Sequence, residues 1–361
     1  MIVLIPAFQP DEKLVELARS ISTMAPGLGV VVVDDGSGPG YRPIFHAVEQ
    51  LGFLVVGYRT NQGKGFALKT GLAFIADEYP GQDVVCADCD GQHAIDDILR
   101  VADRVRTSGA AMVLGTRRFT GAVPARSRIG NTMTRWLFRL TTGRLIEDTQ
   151  TGLRGYPAWM LSWLQSISGA RYEYELNILL EACQRNLTIE IEDIATIYLA
   201  ENASSHFRPL VDSVRIYAPL LKFMASSLAA FAIDTIALLV LSATTGSLLV
   251  AVVGARVLSS GTNFLVNRRA VFAHGRDRPI SAAAAGYFAL VLTLLAVNYL
   301  SLLVLTALHV PLLPAKVITE LTLFAMSYAI QARFLFAARR RSAAVDLAAP
   351  ALPAESAREA A

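Results

Sequence analysis

The sequence is poor in charged residues and in cysteine. Charged residues make up 17% and hydrophobic residues 53% of its 361 residues, whereas soluble domains have about 25% charged residues. A net charge of +3 is too small to indicate nucleic-acid binding, so no nucleic-acid partner is expected. The three cysteines, Cys86, Cys89 and Cys183, cannot form a disulfide framework, and so few cysteines are typical of a reducing compartment.

The beginning of the chain does not resemble a secretory signal peptide. The apolar run MIVLIPAF is interrupted at Pro6, and no basic residues precede it. A signal peptide has a basic start and a longer apolar run. We therefore expect the N-terminal domain to remain in the cytoplasm.

The N-terminal part of the chain alternates strand-like runs with helical patterns. The strand-like runs are MIVLIPA, GVVVVDDGS, FLVVGYR, DVVCADCD and AAMVLGTR. This alternation predicts a Rossmann-like α/β domain with a mostly parallel sheet over residues 1–203. Such sheets bind ligands at the carboxyl ends of their strands. Because Asp34–Asp35 and Asp88–Asp90 both follow predicted strands, the sequence predicts a ligand site there.

Long apolar runs fill the second part of the chain. Each is long enough to cross a bilayer, which takes about 20 residues, and the predicted spans are residues 220–243, 248–267, 282–308 and 312–336. The link NRRAVFAHGRDRPIS, between the second and third spans, is basic, whereas the outer links TTGS and HVPLLP are uncharged. By the positive-inside rule, we expect a multi-pass protein of the inner (plasma) membrane, with its N-terminal domain and both termini in the cytoplasm.

Two shorter regions complete the predicted organisation. Residues 204–219 form a juxtamembrane amphipathic segment, and residues 339–361 form a basic and then disordered tail. A second amphipathic stretch, RSRIGNTMTRWLFRLTTGR, has Trp136 and Leu140 on its apolar face and arginines around it. That pattern is typical of a helix lying on anionic lipid. The alternative is a helix packed on the protein core with a solvated basic rim.

The stretch CADCDGQH, residues 86–93, has two possible sets of cation ligands. Two thiols and His93 provide three soft ligands, whereas structural zinc usually has four. The alternative set is Asp88, Asp90 and Gln92, which are hard ligands suited to Mg²⁺ or Mn²⁺. Alternate residues of an extended segment point the same way. The oxygen set is therefore favoured, and a divalent cation there would offset the charge of a departing diphosphate.

Six motifs occur in a fixed order along the N-terminal domain. They are IPAFQP (5–10), VVDDGS (32–37), NQGKGFALKTG (61–71), DCDGQH (88–93), GTRRF (115–119) and DTQTGLRGY (148–156). This set resembles the family 2 glycosyltransferases with the GT-A fold, and most of all the polyprenyl-phosphate branch that includes dolichol-phosphate mannosyltransferase. The resemblance implies an α/β GT-A domain acting on a nucleotide-diphosphate sugar of the UDP-glucose or GDP-mannose type.

The resemblance also implies roles for the residues that match its motifs. Those for the nucleotide sugar are Pro6, Ala7, Asp35, Lys64 and Asp88. Those for the metal are Asp88, Asp90 and Gln92. The lipid phosphate is assigned to Arg117, Arg126, Arg128 and Arg208, and catalysis to Asp90, Asp148 and Arg208.

Two of these roles have alternatives. Because a lipid phosphate is largely ionised at neutral pH, Asp148 has little need to act as a base. It could instead orient Arg154 or the acceptor, or cap a turn. Arg208 could clamp the lipid phosphate or only contact lipid headgroups. The family's first motif often reads Ile-Pro-Ala-Tyr-Asn-Glu, and here Phe8, Gln9 and Pro10 replace its last three residues.

The membrane part carries weaker motifs. ARVLSSGTNFLVNRRAVF (255–272) and SYAIQARFLF (327–336) resemble the two halves of a four-helix membrane family that is linked to O-antigen glucosylation and proposed to flip lipid-linked sugars. This resemblance implies an anchoring or oligomerising domain, or a transporter of the product lipid. Charged residues are costly within spans, and we expect Arg256 to pair with Asp234 or Glu320.

Together, these features predict a membrane-bound hexosyltransferase. It would transfer a sugar, with inversion and with a divalent metal, to polyprenyl (undecaprenyl) phosphate for glycan or glycolipid assembly. A homo-oligomer is among its expected states. One alternative is a processive polysaccharide synthase, although TRW (134–136) lacks the Gln of that branch's Gln-x-x-Arg-Trp motif. The other is a lipid-linked sugar flippase with an inactive transferase domain.

Overall fold

The computed structural model describes residues 1–109, 111–117, 125–195, 218–271 and 280–335. The described residues divide into two compact units, one within 1–131 and 147–195 and the other within 132–146 and 218–335. The predicted tail, Arg208 and nearly all of the juxtamembrane segment lie outside the described residues. The predicted domain limits therefore stay predictions.

The first unit is built on one sheet of seven strands. The strands are β1 (Ile2–Ala7), β2 (Gly29–Asp34), β3 (Leu54–Gly57), β4 (Val84–Cys86), β5 (Met112–Arg117), β6 (Arg154–Tyr156) and β7 (Ile189–Ile194). Their order is β3-β2-β1-β4-β6-β5-β7. β6 runs antiparallel to its neighbours β4 and β5, and the other pairs are parallel. The predicted mostly parallel sheet is confirmed, although β6 and β7 were not predicted.

Seven helices flank this sheet or connect its strands among the described residues. They are α1 (Glu12–Met24), α2 (Arg42–Gln50), α3 (Lys64–Glu78), α4 (Ile95–Ser108), α5 (Ala125–Thr142), α6 (Leu161–Ser166) and α7 (Glu173–Gln184). α1 begins where it does because the Asp11 carboxylate accepts a hydrogen bond from the Lys13 amide at 3.0 Å, as an N-cap residue does. Gly109, in the left-handed region with φ 60°, ends α4.

One hydrophobic core of this unit lies between the sheet and the helices on one of its two faces. Alternate residues of β1 and β2, such as Val3, Ile5 and Val32, are buried against apolar side chains of α1 and α4, including Leu14 and Val101. The burial of these side chains stabilises the fold by about 25 cal/mol per Å² of apolar surface, and it fixes the positions of the strands. The strand ends, and the acidic residues that follow them, are positioned by this core.

The second unit contains four long helices among the described residues. They are α8 (Ala218–Thr245), α9 (Leu248–Val266), α10 (Ile280–Ala307) and α11 (Leu312–Ile330). α9 and α11 each continue into a five-residue π-helical turn, Asn267–Val271 and Gln331–Leu335. The segments Leu220–Thr245 and Ile280–Ala307 are long and apolar enough to cross a bilayer. The helices coincide with the predicted spans, and four crossings stay a prediction.

Polar side chains connect the helices of this second unit. The Asn267 amide, which is fully buried, donates to Gln331 Oε1 at 3.0 Å and accepts from the Ser226 hydroxyl at 2.7 Å. Arg256 lies 3.5 Å from Asp234, so the first of its two expected partners is confirmed. Buried polar groups of this kind are hydrogen-bonded because leaving them unpaired in an apolar surrounding is costly.

The C-terminal half of α5 belongs to the second unit. Thr134 and Phe138 are buried there at 1% exposure each, whereas Trp136 is 47% exposed. Whether Trp136 lies on lipid, as the sequence pattern predicts, stays a prediction. The end of this helix is held by Arg333, whose guanidinium donates to the carbonyl of Leu140 at 2.7 Å and to that of Arg139.

Candidate active site

The first part of the site is the turn that leads into α3, and Asp35 holds it. Asp35 follows β2 and is 3% exposed. Its carboxylate accepts from the amides of Gln62 at 2.8 Å and Gly63 at 2.9 Å, from the Asn61 side chain at 2.9 Å and from the Tyr58 hydroxyl at 2.6 Å. This carboxylate therefore shapes the turn, and its predicted contact with a nucleotide base stays a prediction.

The predicted nucleoside residues on β1 are buried in the sheet. Pro6 and Ala7 pair with Val33 and Asp34 of β2, and Ala7 is 1% exposed within the hydrophobic core. Just beyond them, the Gln9 amide donates to the Ser37 hydroxyl at 2.8 Å. The loops after β1 and β2 are thus joined, and the role of Pro6 and Ala7 toward a nucleoside stays a prediction.

The centre of the site is an ammonium between two carboxylates. Lys64, the first residue of α3, places its Nζ 2.6 Å from Asp88 Oδ1 and 3.1 Å from Glu175 Oε1. Burial alone would lower the pKa of Lys64, but the charges of Asp88 and Glu175 hold it above its usual value. Lys64 is therefore a partly buried cation, with its side chain 16% exposed, at the carboxyl end of β4.

The two aspartates after β4 differ in their electrostatics. Burial alone would raise the pKa of Asp88, but Lys64, with help from His93, keeps it below its usual range. The pKa of Asp90 is raised by burial and by the charge of Asp88. The negative charges of the two carboxylates repel each other, and a divalent cation bound nearby would offset this repulsion.

The ligands available to such a cation are few. Within the described ranges, no three His, Cys, Asp or Glu side chains converge as a metal-binding group. Asp88, Asp90 and Gln92 carry oxygen atoms of the kind that Mg²⁺ and Mn²⁺ prefer as ligands, and their role as metal ligands stays a prediction. The Asp90 carboxylate also accepts from the Gln92 amide nitrogen of the backbone at 3.0 Å, which fixes the turn between them.

The thiols of the same stretch are poor candidates for metal ligands. Burial raises the pKa of both Cys86 and Cys89 to about 12, with Glu175 adding to the effect at Cys86, and Asp88 and Asp90 at Cys89. The thiolate is the form that binds metal, and burial disfavours its formation at both residues in the metal-free protein. These shifts favour the oxygen ligands over the sulfur ligands.

A second ion pair lies at the end of β5. Arg117 Nε and Nη2 contact the two oxygens of Asp148 at 2.7 and 3.2 Å, and the Asp148 carboxylate is fully buried. Asp148 also accepts from the Gln150 amide at 3.1 Å. Its ion-pair partner is thus Arg117 rather than Arg154, and its bond to Gln150 is of the capping type.

Arg154 has a structural position. It is 1% exposed and donates to the carbonyls of Thr151 at 2.8 Å, Glu175 at 2.7 Å and Thr149 at 3.2 Å. One guanidinium therefore joins the DTQTG loop to the first turn of α7. Arg126 and Arg128 lie in the first turn of α5, where their side chains are outside the described residues, as is Arg208.

Two residues of the site were not predicted. The first is Glu175, whose carboxylate is the second acidic partner of Lys64. The second is Gly152, which leaves room for the Asp88 carboxylate, because an added Cβ would lie 2.1 Å from Asp88 Oδ2. The acidic pattern RYEYE at the start of a helix was a signal for Glu175. A single glycine in a loop gave no signal for Gly152.

Two family profiles and a relative from another organism match parts of this sequence. The profile of glycosyl transferase family 2 matches residues 2–162, and that of the GtrA/DPMS transmembrane domain matches residues 222–336. An uncharacterised protein of Methanocaldococcus jannaschii is 28% identical over 201 residues, which cover 54% of this chain and 81% of that protein.

A relative with a named activity and a solved structure are also similar. UDP-N-acetylglucosamine–dolichyl-phosphate N-acetylglucosaminyltransferase of Methanococcus voltae is 26% identical over 215 residues, covering 54% of this chain and 85% of that enzyme. Glucosyl-3-phosphoglycerate synthase of Mycobacterium tuberculosis superposes with a TM-score of 0.47 at 18% identity, covering 61% of this chain and 75% of that one. The chain thus joins a glycosyltransferase domain of family 2 to a GtrA/DPMS transmembrane domain.

Proposed function

We propose that this glycosyltransferase transfers a sugar from a nucleotide-diphosphate sugar to a polyprenyl phosphate at the cytoplasmic face of the membrane. The observation that carries the proposal is the grouping of Lys64, Asp88 and Asp90 at the carboxyl end of β4. A partly buried ammonium in contact with Asp88 can bind a diphosphate once a divalent cation offsets the charge of the two aspartates.

The donor would bind at the strand ends. Asp88, Asp90 and Gln92 would hold Mg²⁺ or Mn²⁺, and a cation there stabilises negative charge on the leaving diphosphate. Lys64 provides a point charge with three N–H donors for phosphate oxygens. The turn fixed by Asp35 would bear the nucleoside.

The proposed transfer is a single displacement with inversion. An oxygen of the lipid phosphate forms a bond to the anomeric carbon of the sugar, and the bond from that carbon to the diphosphate oxygen breaks. The electron pair of the broken bond leaves with the nucleoside diphosphate. Because the lipid phosphate is largely ionised, with a second pKa of about 6, no proton has to be removed from it.

This chemistry changes the role proposed for Asp148. Both of its oxygens are bound to Arg117, so we propose that Asp148 orients this guanidinium toward the acceptor phosphate instead of acting as a base. A guanidinium is well suited to a phosphate because its N–H donors match two oxygens at once. Arg126, Arg128 and Arg208 remain further proposed contacts for the lipid phosphate.

Two further observations support a lipid acceptor. The relative from Methanococcus voltae is named for transfer to dolichyl phosphate, which is a polyprenyl phosphate. The GtrA/DPMS domain and the apolar helices of the second unit indicate that the enzyme works at a membrane. We propose four crossings with both termini in the cytoplasm, as the basic link between the second and third predicted spans requires.

Transfer to lipid can be measured directly. The full chain, in detergent, is incubated with a labelled nucleotide sugar and undecaprenyl phosphate, with Mg²⁺, with Mn²⁺ or with a chelator. A panel of UDP- and GDP-linked sugars identifies the donor. We expect label in the organic phase only with both the lipid phosphate and a divalent cation.

The matched variants are Asp90→Ala and Cys89→Ala. Loss of turnover is expected for Asp90→Ala, because it removes a metal ligand, and nearly unchanged turnover for Cys89→Ala. If no sugar of the panel is transferred to lipid by the unsubstituted chain, the proposed acceptor is wrong. Loss of activity in Cys89→Ala together with full activity in Asp90→Ala would contradict the proposed metal ligands.

A further inference from the structure

Glu175 contacts the centre of the site but is not among the residues assigned to donor, metal or acceptor. It lies in the first turn of α7 with its side chain 9% exposed, and its Oε1 is 3.1 Å from Lys64 Nζ. The same Nζ is 2.6 Å from Asp88 Oδ1. Lys64 therefore holds a position beside Asp88 that a divalent cation would compete for.

We propose that Glu175 is the positioning residue for Lys64. It holds the ammonium at the diphosphate subsite when Asp88 exchanges Lys64 for a divalent cation. The inference rests on the proposed function, because it takes a nucleoside diphosphate and a divalent cation as the ligands of this site.

The exchange follows from charge. An ammonium and a divalent cation repel each other, so a cation bound to the Asp88 carboxylate weakens the contact of Lys64 with the same carboxylate. With Glu175 present, Lys64 keeps a second anionic partner and needs no large movement. Without the Glu175 carboxylate, Lys64 would keep only Asp88 of these two acidic partners. It would then compete more strongly with the cation for Asp88.

The close packing of the backbone around Lys64 supports this positioning role. A Cβ at Gly63 would lie 2.7 Å from the Ala170 carbonyl oxygen, and one at Gly65 would lie 2.6 Å from the Tyr174 Cβ. The two glycines thus let the start of α3 approach the segment before α7 and the first turn of that helix. Arg154 fixes the same turn through the Glu175 carbonyl at 2.7 Å.

This close approach explains the sequence GKG at positions 63–65. The glycines on either side of Lys64 allow two helix starts to touch, and the lysine between them then reaches two carboxylates that are distant in sequence. Bulkier residues at these positions would separate the helices and with them the ammonium and the Glu175 carboxylate.

The test measures Mn²⁺ binding to the full chain in detergent, by the electron paramagnetic resonance signal of free Mn²⁺, with and without UDP or GDP. Four proteins form a double-mutant cycle: the unsubstituted chain, Lys64→Met, Glu175→Gln and the double variant. Glu181→Gln is the matched control, because it also removes a carboxylate from α7. The Glu181 carboxylate pairs with Arg185 at 3.8 Å.

In the absence of nucleotide, we expect Lys64→Met to tighten Mn²⁺ binding and Glu175→Gln to weaken it, each by about tenfold, which corresponds to 1.4 kcal/mol. In the Lys64→Met background, Glu175→Gln should have almost no effect, because Glu175 acts through Lys64. Glu181→Gln should bind Mn²⁺ as the unsubstituted chain does. Glu175→Asp, which keeps the charge, should restore most of the affinity.

The alternative is that Glu175 acts only as one more negative charge. Its removal would then weaken Mn²⁺ binding equally with and without Lys64, and that additive result would overturn the inference. If Glu175→Gln does not fold, Glu175→Met, which also removes the charge, gives the same comparison in both backgrounds. Absence of Mn²⁺ binding by the unsubstituted chain would overturn the metal-dependent function as well, whereas binding with an additive cycle overturns only the role of Glu175.

Discussion

Replacing Gly152 by alanine should disable the site through one carboxylate. An added Cβ at this position would lie 2.1 Å from Asp88 Oδ2 and 2.6 Å from its Cγ. Ordinary contact begins at 3.4 Å, so the Asp88 carboxylate has to move by about 1 Å or more. The backbone of Gly152 lies outside the left-handed region, and alanine is therefore compatible with its conformation.

The size of the effect follows from this displacement. A misplacement of about 1 Å in an active site can lower the rate by about 100-fold, which equals about 2.7 kcal/mol of transition-state stabilisation. Crowding at a packed position also lowers the free energy of unfolding, by about 1–3 kcal/mol. We therefore expect turnover near 1% of the unsubstituted rate, weaker Mn²⁺ binding and a moderately lower melting temperature.

The assay compares Gly152→Ala with Gly27→Ala, where an added Cβ has no atom within 4 Å. Gly27→Ala should leave turnover and melting temperature unchanged. Added to Asp88→Ala, the Gly152→Ala substitution should lower turnover little further, because its effect passes through Asp88. Normal turnover and Mn²⁺ affinity in Gly152→Ala would refute the reasoning, since Asp88 would then not need its present position.

Three other substitutions test separate parts of the molecule. Arg117→Lys keeps the charge but loses the two-point contact with Asp148, so the KM for undecaprenyl phosphate should rise about tenfold while the donor KM stays constant. Asp35→Asn places an amide where backbone N–H groups donate, and chemical denaturation should show at least about 2 kcal/mol of lost stability. Arg333→Ala removes the donors to the last carbonyls of α5, and hydrogen exchange of residues 139–142 should become faster. Unchanged values in these measurements would contradict the contacts described for each residue.

The fold was predictable where apolar runs are long and fully buried. β1 and β2 consist almost entirely of residues buried on both faces, and such runs followed by a turn are strong strand signals. β6 has only three residues, which is too short for a periodic signal. β7 alternates partly buried and exposed residues and follows α7 closely, so its pattern did not stand out.

The candidate site was predictable in part for a related reason. Asp35, Asp88 and Asp90 are near in sequence to the strand ends that position them, so strand prediction also placed these residues. Glu175 and Gly152 meet Lys64 and Asp88 only through the packing of distant segments. A sequence without an alignment holds no local signal for such pairs.

The ion pair of Lys64 and Asp88 also connects folding with the proposed function. A partly buried carboxylate is stabilised by an ionic partner, and in the metal-free protein Lys64 is that partner of Asp88. The same contact would oppose the binding of a divalent cation. A nucleoside diphosphate would remove this conflict, because its phosphate oxygens would provide a new partner for the ammonium while the cation binds Asp88. Donor and cation should consequently bind with positive cooperativity, since each removes part of the cost of binding the other.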